Sequence, residues 1–264
     1  MVLNSLLDNY NIIRTIGRGS YGTVDLIENK MTKEKFAMKT IQIVKLDEIA
    51  EITNEIKIME KINSKYITKI IEWTHSGDSI RIIMEYAPNG DLDMLIKKQR
   101  ELKERLPDKM INKIIYQTAC GLRDLHDNKI LHRDIKPSNV LIFDDYNIKL
   151  ADFGISKILS ISSNAYTQIG TPFYMSPEMI NGYSYSYSND FWGLGCVYYE
   201  LITMERPFAG SNIMVLFNNI VQGKLDFKKV PYKYRQLVVN LLHPDKSKRY
   251  DYKQIFTYYV KHFY

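Results

Sequence analysis

The chain has 264 residues, 45% of them hydrophobic and 25% charged, an ordinary globular balance with length enough to bury a large core. No run of 18 apolar residues occurs, and the opening MVLNSLLDNYNIIR lacks a basic stretch followed by a sustained apolar core, so neither a membrane span nor a secretory leader is expected. The net charge of +6 is spread, with no block of five or six basic residues and no aromatic-basic RNA-binding pattern, which argues against a nucleic-acid partner. Only Cys120 and Cys196 occur, both in apolar segments, and they read as small buried side chains of a reducing compartment.

Residues 12–24, IIRTIGRGSYGTV, contain Gly17, Gly19 and Gly22 followed by Val24-Asp25-Leu26-Ile27. A dinucleotide-binding glycine turn should open a helix. Here a second strand follows, so the glycines belong to a hairpin whose backbone amides can approach phosphate. Residues 36–41 read as a strand carrying one lysine, Lys39, with the small Ala37 beside it. From Leu46 to Ile62, apolar residues at 49, 52, 56, 59 and 62 give helical spacing, with Glu55 beside the stripe and Glu48 and Glu51 as alternative acids. Residues 67–73 and 80–86 read as strands around the turn Ser76-Gly77-Asp78. The breaker cluster Ala87-Pro88-Asn89-Gly90-Asp91 then marks a boundary.

Pro107-Asp108 opens a helix whose buried face is read from Met110, Ile114, Gly121 and Leu125. His126, at its end, reads as structural. The next stretch, LHRDIKPSNVLIFDDYNIKLADFG over 131–154, organises the chain. Val140-Leu141-Ile142 and 148–151 read as two short strands with 144–147 as their turn. Such a hairpin brings its ends together, and with them Asp134 and Asn139 on one side and Asp152 on the other. Asp and Asn oxygens are hard ligands suited to Mg²⁺. Residues 155–178 begin Ser-rich without periodicity, residues 190–201 read as a buried central helix, and one more helix is expected after Arg249.

His132-Arg133-Asp134-x-Lys136-Pro137-x-Asn139 followed by Asp152-Phe153-Gly154 resembles the catalytic loop and metal-binding triplet of eukaryotic protein kinases. The likeness extends over about residues 10–262. It implies an α+β, two-lobed protein kinase fold: a β-rich N-lobe over 1–86, which binds ATP, and an α-helical C-lobe over 87–264, together one kinase domain. The activity implied is transfer of the ATP γ-phosphate to protein hydroxyls. Lys136 in the loop favours serine and threonine over tyrosine, and GTPFYMSPE with the compact ending resembles NIMA-related and STE-type kinases.

Roles follow residue by residue from the same resemblance. Asp134 would orient the hydroxyl and take its proton, with Lys136 steadying the moving phosphate. Lys39, fixed by Glu55, would hold the α- and β-phosphates. The nucleotide would be bounded by Ile16, Gly17, Gly19, Gly22, Val24, Ala37, Met84, Glu85, Ala87 and Leu141, and Asn139 and Asp152 would hold Mg²⁺. Met59 would pack on Phe153, and His132 reads as a packing histidine. Thr167 takes the usual phosphorylated position and Arg133 would receive its phosphate. Asp190 would bond the catalytic-loop backbone, and Arg249 would pair with Glu178, whose motif has Ser176 where alanine is usual.

Asp91 and Glu200 remain acidic while Ser138 replaces a third acid, which implies a mild preference for basic residues before the target. The expected setting is a monomer inside the cell, in cytoplasm or nucleus, acting on proteins with serine or threonine. The rivals are a pseudokinase, which loss of Lys39, Asp134 or Asp152 would have favoured, and a small-molecule phosphotransferase, against which the 170–178 segment and Arg249 argue.

Overall fold

The computed structural model describes residues 5–19, 22–43, 48–152 and 172–263. The chain divides into two compact units. Among the described residues, the first contains those up to Asn63 together with Ile67–Ala87, and the second contains Ser64–Tyr66 and the residues from Pro88 onward.

The first unit is an antiparallel sheet with helices α1 (Ser5–Asp8) and α2 (Glu48–Met59). Its strands are β1 (Tyr10–Gly19), β2 (Gly22–Asn29), β3 (Lys35–Gln42), β4 (Ile70–Ser76) and β5 (Ser79–Glu85), in the order β1-β2-β3-β5-β4. The central strands are the most apolar, because a strand with neighbours on both sides buries more of each residue. Ile27, Phe36, Met38 and Ile83 form one buried cluster, and the Tyr10 ring meets Phe36 edge-on at 5.9 Å. Helix α2 buries Ile52, Ile56 and Met59, three of the five positions its spacing singles out.

Strand β4 starts three residues later than the sequence suggests. The residues just ahead of this stretch have other partners. The Ser64 hydroxyl donates to Asp124, and Leu150 N–H donates to the Tyr66 carbonyl at 2.8 Å, so residues 64–66 are committed to the second unit before the sheet begins.

The second unit is helical: α3 (Leu92–Leu102), α4 (Asp108–Asp127), α5 (Pro177–Ile180), α6 (Tyr187–Thr203), α7 (Ile213–Val221), α8 (Tyr232–Leu241) and α9 (Tyr252–Phe263). A short hairpin, β6 (Val140–Ile142) and β7 (Ile148–Leu150), pairs Val140 with Leu150. Helices α4, α8 and α6 pack together, and α6 is buried without interruption from Asn189 to Ile202. Trp192 on α6 stacks on Phe208 with centroids 5.5 Å apart. Each large apolar side chain so removed from water contributes about 1.5–3 kcal/mol.

Gly193 fixes how closely α6 approaches the catalytic loop, since a Cβ there would lie 2.7 Å from Ile135 Cβ and 2.9 Å from its carbonyl oxygen. On α4 the buried place expected of Met110 belongs to Ile111, and Met110 is half-buried. Helices α3, α7 and α8 are not distinguished by the sequence reading. Helix α3 is started by Asp91, whose carboxylate accepts from Met94 N–H at 2.9 Å, and ended by Lys103 in a left-handed conformation, φ 55°. Among the described residues, no helix is long and apolar enough to cross a membrane.

Candidate active site

In the first unit the glycine hairpin joins β1 to β2, with Gly17 opposite Val24 and Gly19 opposite Gly22; Ser20 and Tyr21 lie outside the described residues. Gly22 has φ 144°, and a side chain there would overlap the Thr40 carbonyl, so β2 can run alongside β3 only with glycine at this point. The pairing aligns the nucleotide candidates across the sheet. Val24 faces Lys39, Ala37 faces Met84, and Lys39 faces Ile82 on its other side. Glu55 is half-buried on α2 between the fully buried Ile52 and Ile56. Ile16 is exposed on β1 and Ala87 is buried. The Glu85 carboxylate is held locally, accepting from Lys69 N–H at 2.6 Å.

In the second unit the β6–β7 hairpin does what the spacing implies. Ala151 N–H donates to the Asn139 carbonyl at 3.0 Å, which sets Asp152 one residue beyond Asn139's partner. The Asn139 amide donates both to the Asp134 carbonyl (2.7 Å) and to Asp134 Oδ2 (2.9 Å). Its hydrogens are thus committed, and its side-chain oxygen is the atom it can offer a cation. Lys136 Nζ reaches the same Asp134 Oδ2 at 2.6 Å. Leu141 pairs with Asp91 in an isolated bridge. Arg133 and Asp152 both adopt positive φ, 72° and 58°, a conformation that side chains other than glycine adopt only at a cost of about 1–3 kcal/mol.

Asp190 keeps that strained loop in place. Its carboxylate, fully buried at the start of α6, accepts four hydrogen bonds: from His132 N–H (3.0 Å), Arg133 N–H (2.9 Å), the Tyr185 hydroxyl (2.7 Å) and the His126 ring (2.8 Å). Burial works against its charge, but the His126 bond, the histidine fields and the Tyr185 bond outweigh it and hold Asp190 below the usual carboxylate range. Burial also pushes the His132 imidazole below its ordinary value, against the pull of Asp190, Asp134 and Asp152, so it is neutral near pH 7. The expectations for Asp190 and for His126 as a structural residue agree with this geometry. Tyr185 was not anticipated, because the Tyr-Ser run at 183–188 reads as plain loop. The usable signal was the Ser186-x-x-Asn189 spacing ahead of an apolar run, which forms a capping box here.

Arg249 meets Glu178 through two contacts, 2.7 and 3.1 Å, both side chains buried. Ser176 is more than a neutral stand-in for alanine: it is fully buried and its Oγ accepts from the Asn189 amide at 2.6 Å. The two acids expected to favour basic substrates are both engaged. Asp91 caps α3, while Glu200 is buried, accepting from the Tyr174 hydroxyl at 2.6 Å and facing Arg100 at 3.5 Å. Thr167, Phe153, Gly154 and the rest of 153–171 lie outside the described residues.

A glycine hairpin on an antiparallel sheet that carries a half-buried lysine, and a helical unit whose loop groups an aspartate, a lysine and an asparagine, are the parts of a phosphotransferase. A family model described as the protein kinase domain matches residues 10–260. The chain is 36% identical over 237 residues to the probable serine/threonine-protein kinase nek2 of Dictyostelium discoideum, covering 87% of this chain and 56% of that protein. It is 35% identical over 263 residues to the serine/threonine-protein kinase nekl-2 of Caenorhabditis elegans, covering 95% and 74%. With the serine/threonine-protein kinase Nek8 of Danio rerio it shares 34% identity, covering 96% and 37%. The chain belongs to the protein kinase family, and within it to the NIMA-related serine/threonine kinases. Members of the family use ATP and a divalent metal. The chain spans between about a third and three quarters of the length of these relatives.

Proposed function

We propose that this protein transfers the γ-phosphate of ATP to serine and threonine hydroxyls of other proteins, with Mg²⁺ as the metal. The observation that carries the reading is the bonding of Asp134. Both Asn139 and Lys136 contact its Oδ2, which leaves Oδ1 as the oxygen a substrate hydroxyl would meet. Asp134 then orients the hydroxyl and takes its proton as the O–P bond forms, and Lys136 offsets the charge on the transferring phosphoryl group. The Asn139 oxygen and the Asp152 carboxylate form a hard donor set that fits Mg²⁺. When bound, that ion would neutralise phosphate oxygens. Lys39 would take the α- and β-phosphates with Glu55 steadying it, and Ile16, Gly17, Gly19, Gly22, Val24, Ala37, Met84, Glu85, Ala87 and Leu141 would shape the nucleotide's surroundings. Most of the rate comes from positioning and charge, since the loop is already held in its strained form.

The two lobes, 1–86 and 87–264, form one kinase domain in this reading. The protein acts as a monomer in the cytoplasm or nucleus, without a nucleic-acid partner. Cys120 and Cys196, buried and unpaired, suit a reducing compartment. Thr167 and Arg133 would supply regulation by phosphorylation. Labelled ATP, Mg²⁺ and generic protein substrates test the activity, with Asp152→Asn as the control. The variant is expected to fold normally and transfer nothing. Wild-type turnover in Asp152→Asn, or label on nothing at all with the wild type, rejects the reading.

A further inference from the structure

The side chains around Phe173 and Tyr174 carry an unexpected charge pattern. The buried Glu200 carboxylate is shared between the Tyr174 hydroxyl at 2.6 Å and Arg100 at 3.5 Å, and Arg100 Nε also donates to the Met204 carbonyl at 2.9 Å. Arg100 is therefore anchored twice and covers the acid that a substrate arginine would need. Nearby, the Arg206 guanidinium carbon lies over the Phe173 ring, 3.9 Å from its centroid. Arg206 is exposed and makes no ion pair among the described residues. A guanidinium held over a ring uses no N–H donor in that contact, so its donors stay available in the fork that matches a carboxylate.

The neighbouring acids are already committed. Asp93 holds Lys97 at 2.6 Å, Glu205 holds Lys229 at 2.6 Å, and Asp91 caps α3. The Arg206 charge is felt at the Tyr174 hydroxyl and at Lys97, and with Lys97 paired to Asp93 and Arg100 to Glu200, Arg206 is the cation here left without an ion pair among the described residues.

We propose that this face disfavours a basic residue beside the acceptor hydroxyl and receives an acidic one, aspartate or glutamate, on Arg206. The inference rests on the protein kinase reading of Pro172–Glu178 as the peptide platform. It reverses the mild basic preference that Asp91 and Glu200 imply as bare sequence. A substrate arginine would have to displace Arg100 from Glu200 or lie against Arg206. A substrate carboxylate meets an open fork.

The test uses the whole chain and a serine peptide series in which each flanking position is in turn Arg, Ala or Glu. At one or more positions kcat/KM should run Glu above Ala above Arg, with Glu over Arg by roughly fivefold, since each exposed charge contact supplies roughly two- to fivefold. Arg206→Gln should cut that ratio roughly two- to fivefold, and Arg100→Gln should raise the Arg peptides selectively by uncovering Glu200. Thermal melts confirm that both variants are folded, and 0.5 M salt should compress the ratio in the wild type. Arg peptides equal to or better than Glu peptides, or a ratio unmoved by Arg206→Gln, overturn this inference while the kinase reading stands. Failure of every peptide and of generic protein substrates to accept phosphate overturns both.

Discussion

Asp190→Asn tests whether the catalytic loop is held by one buried carboxylate. In the wild type four donors converge on that group at 2.7–3.0 Å. An asparagine oxygen can accept about two of them, and its NH₂ then faces donors instead of accepting from them. Bonds to a charged acceptor contribute about 1.5–3 kcal/mol each, so two lost bonds cost about 3–6 kcal/mol. Removing a buried charge returns part of this. The net loss should be about 3 kcal/mol, a large share of a typical 5–15 kcal/mol total, and should lower Tm by about 6–12 °C in a chain of this size. Because Arg133 is held at φ 72° by its N–H bond to Asp190, phosphotransfer should fall as well. Tyr185→Phe should cost about 1.5 kcal/mol alone and much less on top of Asp190→Asn, since the two share one bond. Urea and thermal unfolding of the four proteins in the cycle measure this. Asp190→Asn within about 1 kcal/mol of wild type, or strictly additive losses, would refute the account.

Arg249→Ala should destabilise by about 3–5 kcal/mol because it strands the buried Glu178, and Arg249→Lys should recover little, since an ammonium cannot make both contacts; urea midpoints decide. The folded His132 imidazole titrates below its unfolded value near 6.5, so the folded state binds fewer protons. Its contribution is complete above about pH 6.5 and is lost as pH falls toward the lower folded value, with a slope of at most about 1.4 kcal/mol per pH unit. The stability difference between wild type and His132→Gln should therefore shrink from pH 7.5 to 5.5, and a constant difference would contradict the neutral state. Thr167→Ala should depress activity if phosphate there engages Arg133, whereas full activity of phosphatase-treated wild type, with mass spectrometry finding no phosphate over 156–171, removes that switch.

The site is legible in sequence to the extent that it is local. Asp134, Lys136 and Asn139 lie within one loop, and Asp152 is brought back by a hairpin whose turn residues and apolar runs declare it. Hydrophobic spacing likewise exposes α2, because a buried face must repeat with the period of its element, and an unbroken apolar run declares α6 as a helix buried all round. Contacts that depend on distant segments are not written this way. Tyr185 looks like loop until its hydroxyl meets Asp190, the carboxylate that also holds His126 and the catalytic backbone. Ser176 looks interchangeable with alanine until Asn189 reaches it.

By itself, then, the sequence determined the family, the strand and helix pattern of the catalytic segments, and the chemical types at the reacting positions, all of which rest on short-range spacing. Only the tertiary structure decided which charges are available. Glu200 is an acid in sequence, but in the fold it is buried under Tyr174 and Arg100, and Arg206 is left exposed on Phe173. A side chain's charge is set by its composition. The field it presents to a partner is set by which other charges the fold brings within a few ångströms, and for Arg100 and Glu200 that partner is 100 residues away.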